Sequence, residues 1–248
     1  DKAQMKSVES AGMSYVDISG PADRYSGKNT PTKVLMVKKF NKTLAESDTI
    51  SMINNPNWTY GNAEAYQVAI DKGLVMGTIL GKKLQVRGES RETKWSRLDS
   101  GRIDKRLVAE LGFGNERVFK TTFIESYSDA FLHISIDASG SMGGAKWTNT
   151  QTSVAAIAKA CSMIQNVDLV ISYRSTQNVG GNHRYRNSNS NPLMLIAYDS
   201  RVDKISKVRD LFPLLRPSGT TPEGLCFEAV MKEIEVGSND KDSYFLNF

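Results

Sequence analysis

Residues 134–144 read Ile-Ser-Ile-Asp-Ala-Ser-Gly-Ser-Met-Gly-Gly, which sets a carboxylate and two hydroxyls at alternate positions, Asp137, Ser139 and Ser141. These are hard oxygen donors. They suit magnesium or manganese with retained waters, whereas softer metals would draw on Cys or His. Gly140, Gly143 and Gly144 let the turn tighten so that the three side chains converge. An apolar run precedes Asp137 and a helical pattern follows, so the turn sits at a strand end, where open α/β sheets bind their ligands. The plain alternative is a capped helix start.

Other chemistries can be tested on the same residues. An EF-hand loop opening at Asp137 needs Gly at its sixth position and Glu at its twelfth, but these are Met142 and Thr148. A hydrolase nucleophile elbow centred on Ser141 has Gly143 but carries Ser139 in place of the first Gly, with only His133 and His183 as bases. The stretch from Gly77 to Lys82 is one residue short of a phosphate loop, lacks Ser or Thr after the Lys and lies in a helical pattern, so ATP binding has no support.

The elements that must position the turn follow from periodicity. Residues 1–32 are loop-rich. Val34, Leu35, Val37, Phe40 and Leu44 suggest a short helix over 32–46, and a longer helix is predicted over 63–86, where Gly73 and Gly77 could allow a close helix contact. Residues 87–97 read as a charged linker, and 102–111 as another short helix stopped by Gly112 and Gly114. The pattern then changes. Strands are expected at 117–124, 130–136, 167–173, 193–198 and 244–248, with helices at 147–164, 203–211 and 222–234 between them. The polar stretch 175–191 reads as a loop. Strands alternating with helices argue for a doubly wound, mostly parallel α/β sheet with helices on both faces, over residues 116–248, preceded by a helical and loop-rich region over 1–115.

Composition sets the outer limits. The 248 residues are 40% hydrophobic and 24% charged, a globular profile. No run approaches the roughly 18 apolar residues of a spanning helix. Cys161 and Cys226 lie far apart on helical patterns, which reads as small buried residues in a reducing, cytoplasmic setting rather than a disulfide framework or zinc site. His133 alternates with the apolar face of a strand and reads as packed. A net charge of +5 spread along the chain does not require nucleic acid, and Arg174, Arg184, Tyr185 and Arg186 read as a solvated loop. The chain begins without Met and stops in a strand-like run, so it is expected to be a fragment at both ends.

The Asp137-x-Ser139-x-Ser141 turn after an apolar strand resembles the metal-ion-dependent adhesion site of von Willebrand factor A domains, which are doubly wound sheets. The resemblance implies a Thr from a second loop. Ser218-Gly-Thr-Thr-Pro matches the place, with Thr220 the best candidate and Thr221 next. It also implies an Asp from a third loop beyond Phe248, and magnesium with an open position for a partner's acidic side chain. The order of a helix, Trp95-Ser-Arg-Leu-Asp, Val118-Phe-Lys and the metal turn is similar, over roughly residues 65–248, to the C-terminal region of the cobaltochelatase subunit CobT. That likeness implies a non-catalytic platform that partners an AAA+ ATPase and a larger catalytic subunit in cobalt insertion for cobalamin synthesis. Two alternatives stand beside it: an adaptor of a MoxR-type AAA+ ATPase with the same site, and a serine hydrolase using Ser141.

Overall fold

A computed structural model describes residues 10–18, 32–46, 50–53, 63–88, 91–125, 129–178, 190–238 and 241–248. Six strands form the central sheet: β1 (Met13–Ile18), β2 (Thr32–Val37), β6 (Ala130–Asp137), β7 (Val167–Asn178), β8 (Ser190–Asp199) and β9 (Asp242–Asn247). Their order is β1-β2-β8-β7-β6-β9. The pairs β2–β8, β6–β7 and β6–β9 are parallel, whereas β1–β2 and β7–β8 are antiparallel. The α/β class is as expected, and three of the five strand pairings are parallel, so the sheet is mixed with a parallel majority.

Helices cover both faces. On one, α3 (Ala145–Cys161) sets Trp147, Val154, Ala155 and Ala158 against Ile134 and Ile136 of β6, Ile171 and Tyr173 of β7 and Leu195 of β8. On the other, α5 (Glu223–Gly237) sets Cys226, Ala229 and Val230 against Val34, Met36 and Met194. Both cysteines are buried and free. Among the described residues, no helix is long and apolar enough to cross a membrane.

The first 115 residues depart from the helical reading. Val34, Leu35, Met36 and Val37 are all buried, alternate residues joining opposite cores, so this run is a strand covered on both faces. A doubly covered strand shows no period of 2, which is why its apolar residues could be fitted to a helix. Only α1 (Lys42–Ala45) is helical in that stretch, and its N-cap Asn41 accepts the backbone N–H of Leu44 at 2.8 Å. The charged linker is instead β3 (Arg91–Leu98), and the expected helix over 102–111 is β4 (Arg102–Ile103) followed by a 3-10 turn at Val108–Phe113. These strands form a small antiparallel sheet, β3-β5-β4, with β5 (Phe119–Glu125). Lys94 to Arg97 are all exposed, so this part of β3 has no alternation of buried apolar and exposed polar residues.

The long helix α2 (Ala63–Gly88) matches its expected span and packs along α3. A Cβ at Gly73 or Gly77 would overlap the carbonyl oxygens of Thr152 and Ala156, and one at Gly81 would lie 2.6 Å from Met163 Sδ. At Gly73 and Gly77 the backbone of the neighbouring helix therefore requires glycine, whereas at Gly81 the thioether end of Met163 can shift. Thr152 Oγ1 donates to Ala69 O at 3.1 Å across the same contact. The outer face of α2 is also apolar, with Val68, Val75 and Ile79 exposed.

Gly77→Ala is expected to cost about 1–3 kcal/mol through overpacking. Gly112→Ala, where a Cβ meets nothing within 4 Å, should change the melting temperature little, and thermal melts of the two variants check the contrast. His133 is buried and paired with Ser172 Oγ at 2.8 Å, and burial pushes its pKa down to about 4. Its contribution is fully present above the unfolded value near 6.5 and is lost as pH falls toward 4. Urea unfolding should show a loss of about 2 kcal/mol from His133 between pH 7 and pH 5, a slope that His133→Leu removes.

Candidate functional site

β6 ends at Asp137, and the following turn runs through Ser139 and the 3-10 segment Gly140–Met142 into α3. The parallel strands β7 and β9 flank β6 on either side, so the turn lies at the carboxyl edge of three parallel strands. Its backbone is held from outside. Asp137 N donates to Phe248 O (2.8 Å), Ala138 N to Arg174 O (2.9 Å) and Gly140 N to Gly219 O (3.0 Å), while Ala138 O accepts from Ser218 N (2.7 Å).

The side chains converge within this frame. Asp137 Oδ1 accepts the backbone N–H of Ser139 at 2.7 Å, and Oδ2 accepts the hydroxyl of Thr221 at 3.0 Å, 84 residues away in sequence. Ser139 Oγ and Ser141 Oγ are 2.8 Å apart and share a hydrogen bond. Ser139 is buried, Asp137 half-buried, and Ser141 and Thr221 exposed, so the cluster opens to solvent on one side.

Thr220, expected as the fourth donor, does not meet Asp137. Its Oγ1 lies 3.1 Å from Thr176 Oγ1 and its backbone N–H donates to the same oxygen at 2.9 Å. Thr221 is the residue that reaches the carboxylate. The two neighbouring hydroxyls thus go to different partners, that of Thr220 to Thr176 of β7 and that of Thr221 to Asp137 at the end of β6. Gly219 sets this direction. Its φ is +80°, and a Cβ there would lie 2.7 Å from both Thr176 O and Thr176 Oγ1. Ser175 Oγ also donates to Ser218 O, tying the loop to β7.

Arg174, read from sequence as part of a solvated loop, is buried in β7 beneath the turn. Nη1 donates to Ser135 Oγ and Nη2 to Phe248 O, both at 3.1 Å. Burial pushes its pKa down, and Asp137 and Glu223 oppose that shift. Arg184, Tyr185 and Arg186 lie outside the described residues. The signal for Arg174 was available: small and β-branched residues continue past Tyr173 through Ser175 and Thr176, which extends the strand over it.

One carboxylate and three hydroxyls, with no nitrogen or sulfur donor, form a set that fits a hard cation such as magnesium or manganese. Among the described residues, no three of His, Cys, Asp and Glu come together as a metal-holding group. Among the described residues the hydrolase geometry is not assembled either. Ser141 bonds to Ser139, His133 bonds to Ser172 inside the sheet, and His183 lies outside the described residues.

No family model matches the chain, and no curated protein matches it. Gly219→Ala combines backbone strain with the overlap at Thr176 and is expected to cost about 1–3 kcal/mol. Chemical denaturation checks this against Gly224→Ala, where a Cβ would meet nothing within 4 Å.

Proposed function

We propose that this chain is a protein-binding platform of the von Willebrand A type, whose contact with a partner is completed through a divalent cation. Asp137, Ser139, Ser141 and Thr221 would hold the ion. The observation that carries the reading is the hydrogen bond from Thr221 Oγ1 to Asp137 Oδ2, which joins two distant loops into one oxygen cluster at the carboxyl edge of parallel strands. A bound magnesium or manganese ion supplies a Lewis-acidic position at which a partner's acidic side chain can close the contact. The protein's own part is to hold the donors in place. Backbone bonds from Phe248, Arg174 and Gly219 fix the turn before any ligand arrives, which lowers the ordering cost of binding.

The finer reading is a CobT-like, non-catalytic partner of an AAA+ ATPase and a larger catalytic subunit in cobalt insertion. It is supported by the resemblance over residues 65–248, from Trp95 through Val118 to the Asp137 turn. The open side of the cluster and the pairing of Ser141 with Ser139, with no Ser–His pair at Ser141 among the described residues, favour a binding role over a catalytic one.

Titration with Mn2+ by calorimetry tests the site. Asp137→Ala is expected to weaken binding by about 10- to 100-fold or more, and Thr221→Ala to weaken it more than Thr220→Ala does. Unchanged Mn2+ affinity in Asp137→Ala would remove the proposed mechanism, and labelling of Ser141 by a fluorophosphonate would replace it with the hydrolase. Co-purification with an AAA+ ATPase, lost in Asp137→Ala, tests the finer reading.

A further inference from the structure

A buried cation directly beneath a cation site is an electrostatic contradiction, and the structure holds one. Arg174 has a side chain 2% exposed and pairs in register with Asp137 across β6 and β7. Its guanidinium carbon lies 5.3 Å from the centroid of the Phe227 ring, and its Nε has no partner. The +1 of Arg174 cancels the −1 of Asp137, the one carboxylate in the oxygen cluster. A site of net zero charge has little long-range attraction for a divalent ion.

Among the described residues, one carboxylate lies within ion-pair distance of this guanidinium: Glu223, at 3.7 Å. Glu223 opens α5 two residues after Thr221, is half exposed, and accepts a hydrogen bond from Asn247 Nδ2 at 3.0 Å. It stands at the positive end of the helix, where a negatively charged side chain is stabilising. We propose that Glu223 is the charge-balancing residue of the Asp137 site. Its carboxylate offsets the buried Arg174 guanidinium and leaves the cluster with the net negative charge that a divalent cation requires. The proposal rests on the metal-site reading above. It assigns Glu223 a positioning role for charge, acting through Arg174 and not as a ligand.

The test is a charge cycle on the full chain, with Mn2+ affinity measured by calorimetry and folding followed by circular dichroism. Glu223→Gln keeps the side-chain length and an acceptor for Asn247 while removing the charge. It is expected to weaken Mn2+ binding on the order of tenfold at low salt, with the melting temperature changed little. Glu223→Asp should recover most of that loss. In the double variant Arg174→Met with Glu223→Gln, the uncompensated cation is gone, and affinity should return to near that of the wild type.

Glu223→Gln binding Mn2+ like the wild type would overturn the proposal. So would a folded double variant that stays as weak as Glu223→Gln, because that result makes Glu223 a direct ligand. If the double variant does not fold, the Glu223→Asp and Glu223→Gln pair decides: equal affinities in the two overturn the proposal. A wild-type chain that binds no Mn2+, or an Asp137→Ala variant that binds it normally, takes down the site itself, an outcome separate from the failure of Glu223 alone.

Discussion

Asp137, Ala138 and Gly140 donate their backbone N–H groups to Phe248, Arg174 and Gly219, which come from three different segments of the chain. Such groups need partners, and these three find them across strand ends and not within the turn. The geometry of the oxygen cluster is therefore a tertiary property. β7 must be in register, β9 must be added on the far side of β6, and the loop carrying Thr221 must close over β7 before the donors can meet. Arg174 serves this arrangement twice, through its backbone carbonyl to Ala138 and through its guanidinium to Phe248 O.

Both cores beneath the site draw on distant parts of the chain. The α3 face gathers β6, β7 and β8 with the helix that directly follows the Asp137 turn, and adds Leu35 and Val37 of β2 and Tyr66 and Ile70 of α2. The α5 face needs Val34 and Met36 of β2 and Ile18 of β1, from the opposite end of the chain. Strands from before residue 115 thus complete the edge of a sheet whose centre lies after it. Thr221 precedes α5, so the far edge of the sheet supports the loop that reaches Asp137.

Legibility in the sequence followed local signals. The 137–141 turn, the long α2 and the strand–helix alternation after residue 130 were readable because hydrophobic period and glycine placement act over a few residues. β2 was misread because a strand buried on both faces loses its alternation, and β3 because Lys94 to Arg97 are exposed on both of its faces and show none. The choice between Thr220 and Thr221 could not be made from spacing. It depends on Thr176, 44 residues away, capturing the first hydroxyl, and on the sign of φ at Gly219. For Arg174 the strand was legible but the burial was not: a charged residue in a polar run reads as solvated until a Glu on a later helix and a ring on the same helix are seen to enclose it.

The glycines at 73, 77 and 81 fix the separation of α2 and α3 by what they lack. Such a spacing has a floor and no ceiling. Any single substitution at these three positions adds atoms, so sequence variation can move the helices apart but cannot bring them closer. Drift at this contact is one-sided, and because the atoms facing Gly73 and Gly77 are the carbonyl oxygens of Thr152 and Ala156, smaller side chains on α3 do not compensate for it.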